Sequence, residues 1–296
     1  MTFTALLIKE LRTHLRRERA IWVIVAYLSI MGLLGFVFLL RANAFGGGYR
    51  VYLLSQVGAQ LFALLSFLQL FWVVFTAPAF TATAVNGEKE RQTYDLLLCS
   101  HLSAFSLLAA KLIAGLANVL LLIAASLPLF SLVYFFGGVA PSQVLSLLVV
   151  FAMTALVAGT FGLCCSTILK QPTVSTSVVY TFCVIWMFAY WIVYYILGGS
   201  SAANLSSIGW VQWLNAWNPI AAMNSVVNIG QINAATFTLF RLHLAHWVAF
   251  TLLSLVVTII LFLLSSSFVK PDTLRRVRTW LPAPGGDRKI SKSAAV

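Results

Sequence analysis

The chain has 296 residues, of which 61% are hydrophobic and 9% charged, with a formal net charge of +12. A mean hydropathy of +0.95 excludes a soluble globular domain and leaves a polytopic membrane protein. A nucleic-acid reading of the positive charge is weak, because the cations flank apolar runs and are explained by topology and anionic lipid.

Residues 1–19 form a basic amphipathic segment. Phe3, Leu7, Leu11 and Leu15 recur every four residues, with Lys9, Arg12, Arg16, Arg17 and Arg19 between them. That spacing predicts a helix lying in the membrane interface with its cations towards anionic headgroups. A leader is not expected, because the stretch runs into a full-length span without a small-residue cleavage pattern.

Six apolar runs follow, at about 20–40, 51–85, 104–136, 143–169, 173–197 and 243–269, each as long as a hydrocarbon core requires of a helix. The second and third exceed a simple crossing. Tilt, projection into the cytosol, or a bend at Pro78 and Pro128 would each accommodate the excess. With both termini inside, the basic residues collect on the cytoplasmic side, leaving only Arg41, Arg50 and Arg241 outside. The same map puts every acidic residue in the cytoplasm, so neither the spans nor the outer face holds a carboxylate. The cysteines, Cys99, Cys164, Cys165 and Cys183, fall in spans or inside, and no disulfide framework is implied.

Between the second and third runs stands the one densely charged internal stretch, in the segment 86–104. Glu88, Lys89, Glu90 and Arg91 are consecutive; Thr93 can cap a helix, and Asp95 favours its positive end. Tyr94, Leu97, Leu98, His101 and Leu102 then recur at i, i+3, i+4, i+7 and i+8. This predicts a short surface helix with one face buried against something. A charged connector resting on headgroups is the plainer alternative.

Of the outer connections, 41–50 and 137–142 read as turns. The long one, 198–242, carries Trp210, Trp213 and Trp217 at helical spacing, then Asn218-Pro219. Tryptophan prefers the headgroup level, which predicts one or two short helices lying in or dipping into the outer leaflet. The tail 270–296 is basic and broken by Pro271, Pro282 and Pro284.

The spans offer uncharged polarity instead of ionisable groups. Gln56, Gln60 and Gln69 lie on the second; Thr176, Tyr180, Tyr190 and Tyr194 lie on the fifth. Such side chains in lipid seek partners, so they point to other helices or to a pathway or dimer face. His243 and His246 lie one helical turn apart, but no cysteine or carboxylate completes a metal set. There is no GxxxxGK loop and no dinucleotide-binding turn. Membrane-embedded catalysis would need a base, a metal or paired carboxylates at depth, and a secondary transporter would usually need an ionisable group there.

The charged stretch resembles the signature region of type 2 permeases of ATP-binding cassette (ABC) transporters. Glu88, Glu90, Arg91, Thr93, Asp95, Leu96, Leu97, Leu102, Ser103 and Lys111 match that pattern, whereas Gln92 stands where Gly is usual and His101 where Pro is usual. The resemblance implies that residues 93–103 are a coupling helix docking on an ATPase; on that mechanism the second and third spans act as its lever, which Glu88, Glu90 and Arg91 are expected to hold by ion pairs. Also implied are an N-terminal elbow helix (1–19), an all-α domain of six transmembrane helices (20–269) and an outer re-entrant segment. The expected protein is a non-catalytic exporter permease in a plasma membrane, as in the inner membrane of a prokaryote. It would pair with a second permease subunit and two ABC ATPase subunits that bind ATP and Mg, with no cofactor in this chain and no nucleic acid. The alternatives are an uncoupled channel-like or scaffolding protein, or a secondary transporter.

Overall fold

The computed structural model describes residues 18–44, 50–90, 104–169, 171–196, 209–228, 236–239 and 242–268. In chain order its elements are α1 (Glu18–Ala44), α2 (Arg50–Thr81), the short α3 (Asn86–Glu90), α4 (Ala104–Phe136), α5 (Pro141–Ile168) and α6 (Pro172–Ile196). Then come the short α7 (Gly209–Ala216) and α8 (Pro219–Val227), strands β1 (Thr236–Leu239) and β2 (Leu242–Ala245), and α9 (His246–Phe268). Helices α1, α2, α4, α5, α6 and α9 are long and apolar enough to cross a membrane. The chain is thus an all-α polytopic membrane protein with six spans. Lipid offers backbone amides no partner, so continuous apolar runs must close their hydrogen bonds internally, as helices do.

Proline marks several boundaries. Pro141, Pro172 and Pro219 each open a helix, where a missing N–H removes no intrahelical bond. Pro78 and Pro128 lie inside α2 and α4, and both helices run through them. The 33 residues of α4 extend about 50 Å, against a hydrocarbon core of about 30 Å.

The inner layer is α2 and α5. Of their most apolar windows 56% and 50% are buried, against 11% for α1 at the periphery. Helix α5 packs on α2, α4 and α9, and α2 packs on α4. Leu70, Val73, Phe151, Val157, Leu163 and Phe250 are fully enclosed. Phe130 joins two helices to its own, edge-on to Phe62 at 5.9 Å and tilted on Phe151 at 6.5 Å. Because lipid tails are as apolar as these side chains, such packing rather than exclusion from water holds the spans together.

Small residues let the backbones approach. A Cβ at Gly115 would fall 2.9 Å from the Thr81 methyl, one at Gly159 3.1 Å from Leu116, and one at Gly162 against the Thr81 hydroxyl. At the far end, Gly137 and Gly138 turn the chain from α4 to α5 with φ of +79° and +83°. A Cβ at Gly138 would strike the backbone of Ser55 on α2, while one at Gly137 would meet nothing. Gly137→Ala is therefore expected to cost about 1 kcal/mol from the backbone alone, and Gly138→Ala about 3 kcal/mol. Thermal unfolding of the two variants in one detergent compares them, and equal losses would rule out the close approach.

Within the segment 198–242 the described residues include the expected short helices and, after them, the start of an unexpected hairpin. Helices α7 and α8 are short, with Trp210 and Trp213 in α7 and Trp217 in the turn before Asn218. After them β1 and β2 pair antiparallel, Thr236 opposite Ala245 and Leu239 opposite Leu242. The Thr-Phe-Thr-Leu run alternates with the period of a strand, and the tryptophan spacing upstream drew attention to helices. Consequently His243 lies in β2 while His246 opens α9, so the two do not share a helical turn. Among the described residues no cluster of His, Cys, Asp and Glu is suited to hold a metal.

Candidate functional site

Two regions bring the chemistry-bearing residues together. The first is the charged end, where α2 gives way to α3. Helix α2 stops at Thr81, a turn occupies residues 82–85, and α3 begins at Asn86. Glu88 on α3 accepts a 2.6 Å hydrogen bond from the Lys111 ammonium on α4 as an ion pair, with side-chain exposures of 22% and 6%. A pair so enclosed is held by mutual charge, since neither group is well hydrated. Glu90 is exposed on the same short helix. Arg91, Thr93, Tyr94, Asp95, Leu97, Leu98, His101 and Leu102 lie outside the described residues. Their flanks are fixed all the same: α3 enters the segment 91–103, α4 leaves it, and Glu88–Lys111 joins the two.

Two serines from other spans reach the α2–α3 joint. Ser166 on α5 accepts hydrogen bonds through Oγ from the amides of Val85 (2.9 Å) and Asn86 (3.1 Å) and donates to the Asn86 side-chain oxygen at 3.1 Å. Ser175 on α6 donates to the Ala82 carbonyl at 2.8 Å. Ser166, Ser175 and Asn86 are fully buried. Sequence reasoning named none of these three residues, because a serine ending an apolar run has no signal pointing to a partner some 80 positions away. Lys111 was legible only through the family pattern.

The second region is the seam of α2 and α6. Tyr180 on α6 donates its hydroxyl to the Phe75 carbonyl on α2 at 3.1 Å and stacks on the Phe75 ring at 6.0 Å. Phe71 leans on Phe75 at 4.5 Å. Gln56, Gln60, Phe67 and Phe71 form an exposed stripe on α2, since steps of four and seven residues return to one side of a helix. On α6 itself Thr181, Ile185 and Phe188 are exposed. Gln69 is not part of this stripe. It is fully buried, two residues on from Phe67 and so about 200° around the helix. Thr176 is half-buried and its hydroxyl turns back to the Pro172 carbonyl at 2.8 Å. Tyr190 and Tyr194 lie along α6, with side chains outside the described residues.

Helix α8 and the turn before it are fastened to α6 by side-chain N–H groups. Asn218 accepts from the amides of Ile220 (2.9 Å) and Ala221 (3.3 Å), capping α8, and donates to the Met187 carbonyl of α6 at 3.0 Å. Trp186 donates its ring N–H to the Trp217 carbonyl at 2.7 Å. At the other end of α8, Gln143 on α5 donates to the Val226 carbonyl at 3.3 Å.

No curated protein matches the chain. The profile of the family described as ABC-2 family transporter protein matches residues 48–268, from the start of α2 to the end of α9. A match over that much of the chain, together with six apolar helices, establishes a multi-pass membrane component of a transporter, whose family implies an ABC ATPase as partner. The chain belongs to the ABC-2 transporter family.

Proposed function

We propose that the chain is the permease subunit of an ABC exporter, working as a dimer docked on two ATPase subunits, with both termini in the cytoplasm. ATP and Mg are bound by those partner subunits. The segment 93–103 is the coupling helix, and Tyr94, Leu97, Leu98, His101 and Leu102 supply its docking face. The observation that carries this reading is the Glu88–Lys111 ion pair. It ties the entry and the exit of the coupling segment into one unit, so a push on that segment moves α2 and α4 together. Closure of the ATPases on ATP supplies the push, and access between the two permeases switches in response.

The exposed stripe of Gln56, Gln60, Phe67 and Phe71 on α2, with the exposed Thr181, Ile185 and Phe188 of the adjoining α6, suits the pathway or dimer face. It combines amides and hydroxyls with aromatic surface and carries no charge, which fits an amphiphilic cargo. Lipid alone would leave the two glutamine amides unpartnered at considerable cost.

The test replaces Leu97 and Leu98 with Asp and follows co-purification with the ABC ATPase in detergent. The wild type is expected to hold the ATPase and the variant to lose it, because charges on a docking face must be dehydrated to dock. Equal retention by both would refute the docking role.

A further inference from the structure

Two hydrogen bonds of an ideal helix are replaced at the α2–α3 joint, and three of their four backbone groups are taken by other helices. In an unbroken helix the Asn86 amide would donate to the Ala82 carbonyl and the Val85 amide to the Thr81 carbonyl. Instead the amides of Asn86 and Val85 both go to Ser166 on α5, and the Ala82 carbonyl receives Ser175 from α6. The Thr81 carbonyl takes the nearer Ala84 amide at 3.1 Å. The two amides and two carbonyls of these bonds are therefore taken up by a serine or by a tighter turn.

The break has no local cause strong enough to fix it. Residues 82–85, Ala-Thr-Ala-Val, contain neither glycine nor proline and are compatible with helix. Pro78 lies upstream, and its missing amide frees a carbonyl of the turn before it rather than any group of residues 82–86. Nothing in the turn itself prevents α2 from continuing into α3. The tertiary partners decide it.

We propose that Ser166 and Ser175 are positioning residues that form a clasp on the α2–α3 joint, through which movement of the coupling segment reaches α5 and α6 as well as α2 and α4. The inference rests on the coupling role given above to the segment beyond α3. With the clasp closed, Glu88 and its helix are bonded to α5 through Ser166 and, via Ala82, to α6 through Ser175. Without it the two amides and the carbonyl lose their partners in a dry site, and the simplest remedy is to restore the helical bonds. Helix α2 would then run on into α3, and a displacement at 91–103 would pass along one rod without engaging α5 or α6. Ser175 opens the way to the seam in particular, because α6 carries Tyr180, which is bonded to Phe75 on the helix that bears Gln60.

The experiment uses the full chain with its ABC ATPase in reconstituted vesicles. A single reporter cysteine is placed at Gln60 (Q60C) in a Cys99→Ala background; Cys164, Cys165 and Cys183 are buried. Labelling by a membrane-impermeant maleimide is timed with ATP and Mg and without them, beside assembly and ATP hydrolysis. In the wild-type background the two labelling rates should differ. In Ser166→Ala and Ser175→Ala, assembly and hydrolysis should persist while the two rates become equal, and Ser166→Thr and Ser175→Thr, which keep the hydroxyl, should restore the difference. Where an alanine variant does not fold, Ser166→Val or Ser175→Val, matched in shape to the threonine variants but without the hydroxyl, should lose the difference likewise. If the difference survives in the alanine or valine variants, the clasp transmits nothing and the proposal falls. If even the wild type binds no ATPase, the coupling role itself fails and takes the clasp with it. A wild type that assembles with variants that do not overturns the clasp alone.

Discussion

Replacing Asn218 by alanine is expected to lower the stability of the protein by about 2–3 kcal/mol, roughly 5–10 °C in melting temperature for a chain of this size. The side chain works in two directions. Its oxygen accepts from the amides of Ile220 and Ala221, which have no intrahelical partner at the start of α8. Its amide nitrogen reaches across to the Met187 carbonyl of α6. Alanine removes both, and the Asn218 side chain is almost wholly buried, so water cannot readily replace what is lost. Asn218→Ser separates the two roles. Serine keeps a capping oxygen but is too short to bridge to α6, and should recover about half of the loss. Intrinsic tryptophan fluorescence during heating in detergent reads the series, because Trp186 and Trp217 pack at 5.6 Å beside the substituted residue. A serine variant as weak as the alanine one would mean that the bond to α6 carries the effect alone.

The Asn218 site also shows how far a sequence reaches. Asn-Pro after a run of tryptophans marks the start of a short helix, since Asn is a strong cap and Pro suits the first helical position, and α8 begins at Pro219. Span number and class were legible for a similar reason, because each apolar run leaves the backbone no alternative to helix. The hairpin of β1 and β2 was not, as four-residue strands carry too few periods to compete with neighbouring helical patterns. Within the site, Glu88 stood out as a charge beside a membrane span. Ser166, Ser175 and Asn86 were silent: serine at the end of a span is commonplace, and what makes these two informative is a break in another helix at the same depth. Gln69 was grouped with Gln56 and Gln60 by residue type, whereas the helical angle alone separates its buried position from their exposed one.

The largest effect is expected at Lys111. Lys111→Met removes the partner of a carboxylate that is only 22% exposed and leaves Glu88 in a site built for a pair. Breaking an enclosed pair from one side costs about 3–5 kcal/mol, more than the pair itself contributes, because the remaining charge is poorly hydrated and has lost its 2.6 Å counter-charge. The lower end of that range applies here, since part of Glu88 still meets solvent. The double variant Glu88→Gln, Lys111→Met relieves the stranded charge and should regain about half of the loss in thermal stability. Function should divide differently from stability. If the pair serves only to hold α3 on α4, ATP-dependent labelling at Gln60 will return with stability in the double variant. If it transmits movement, as proposed for the coupling segment, the double variant will be stable and yet respond poorly to ATP. Met and Gln can pack and hydrogen-bond weakly, but they do not hold two helix ends together under load as a 2.6 Å ion pair does. Thermal unfolding and ATP-dependent labelling measured on the same four proteins, wild type, two single variants and the double, distinguish the two cases. Full recovery of both quantities in the double variant would reduce the pair to a structural contact and remove the observation on which the coupling mechanism stands.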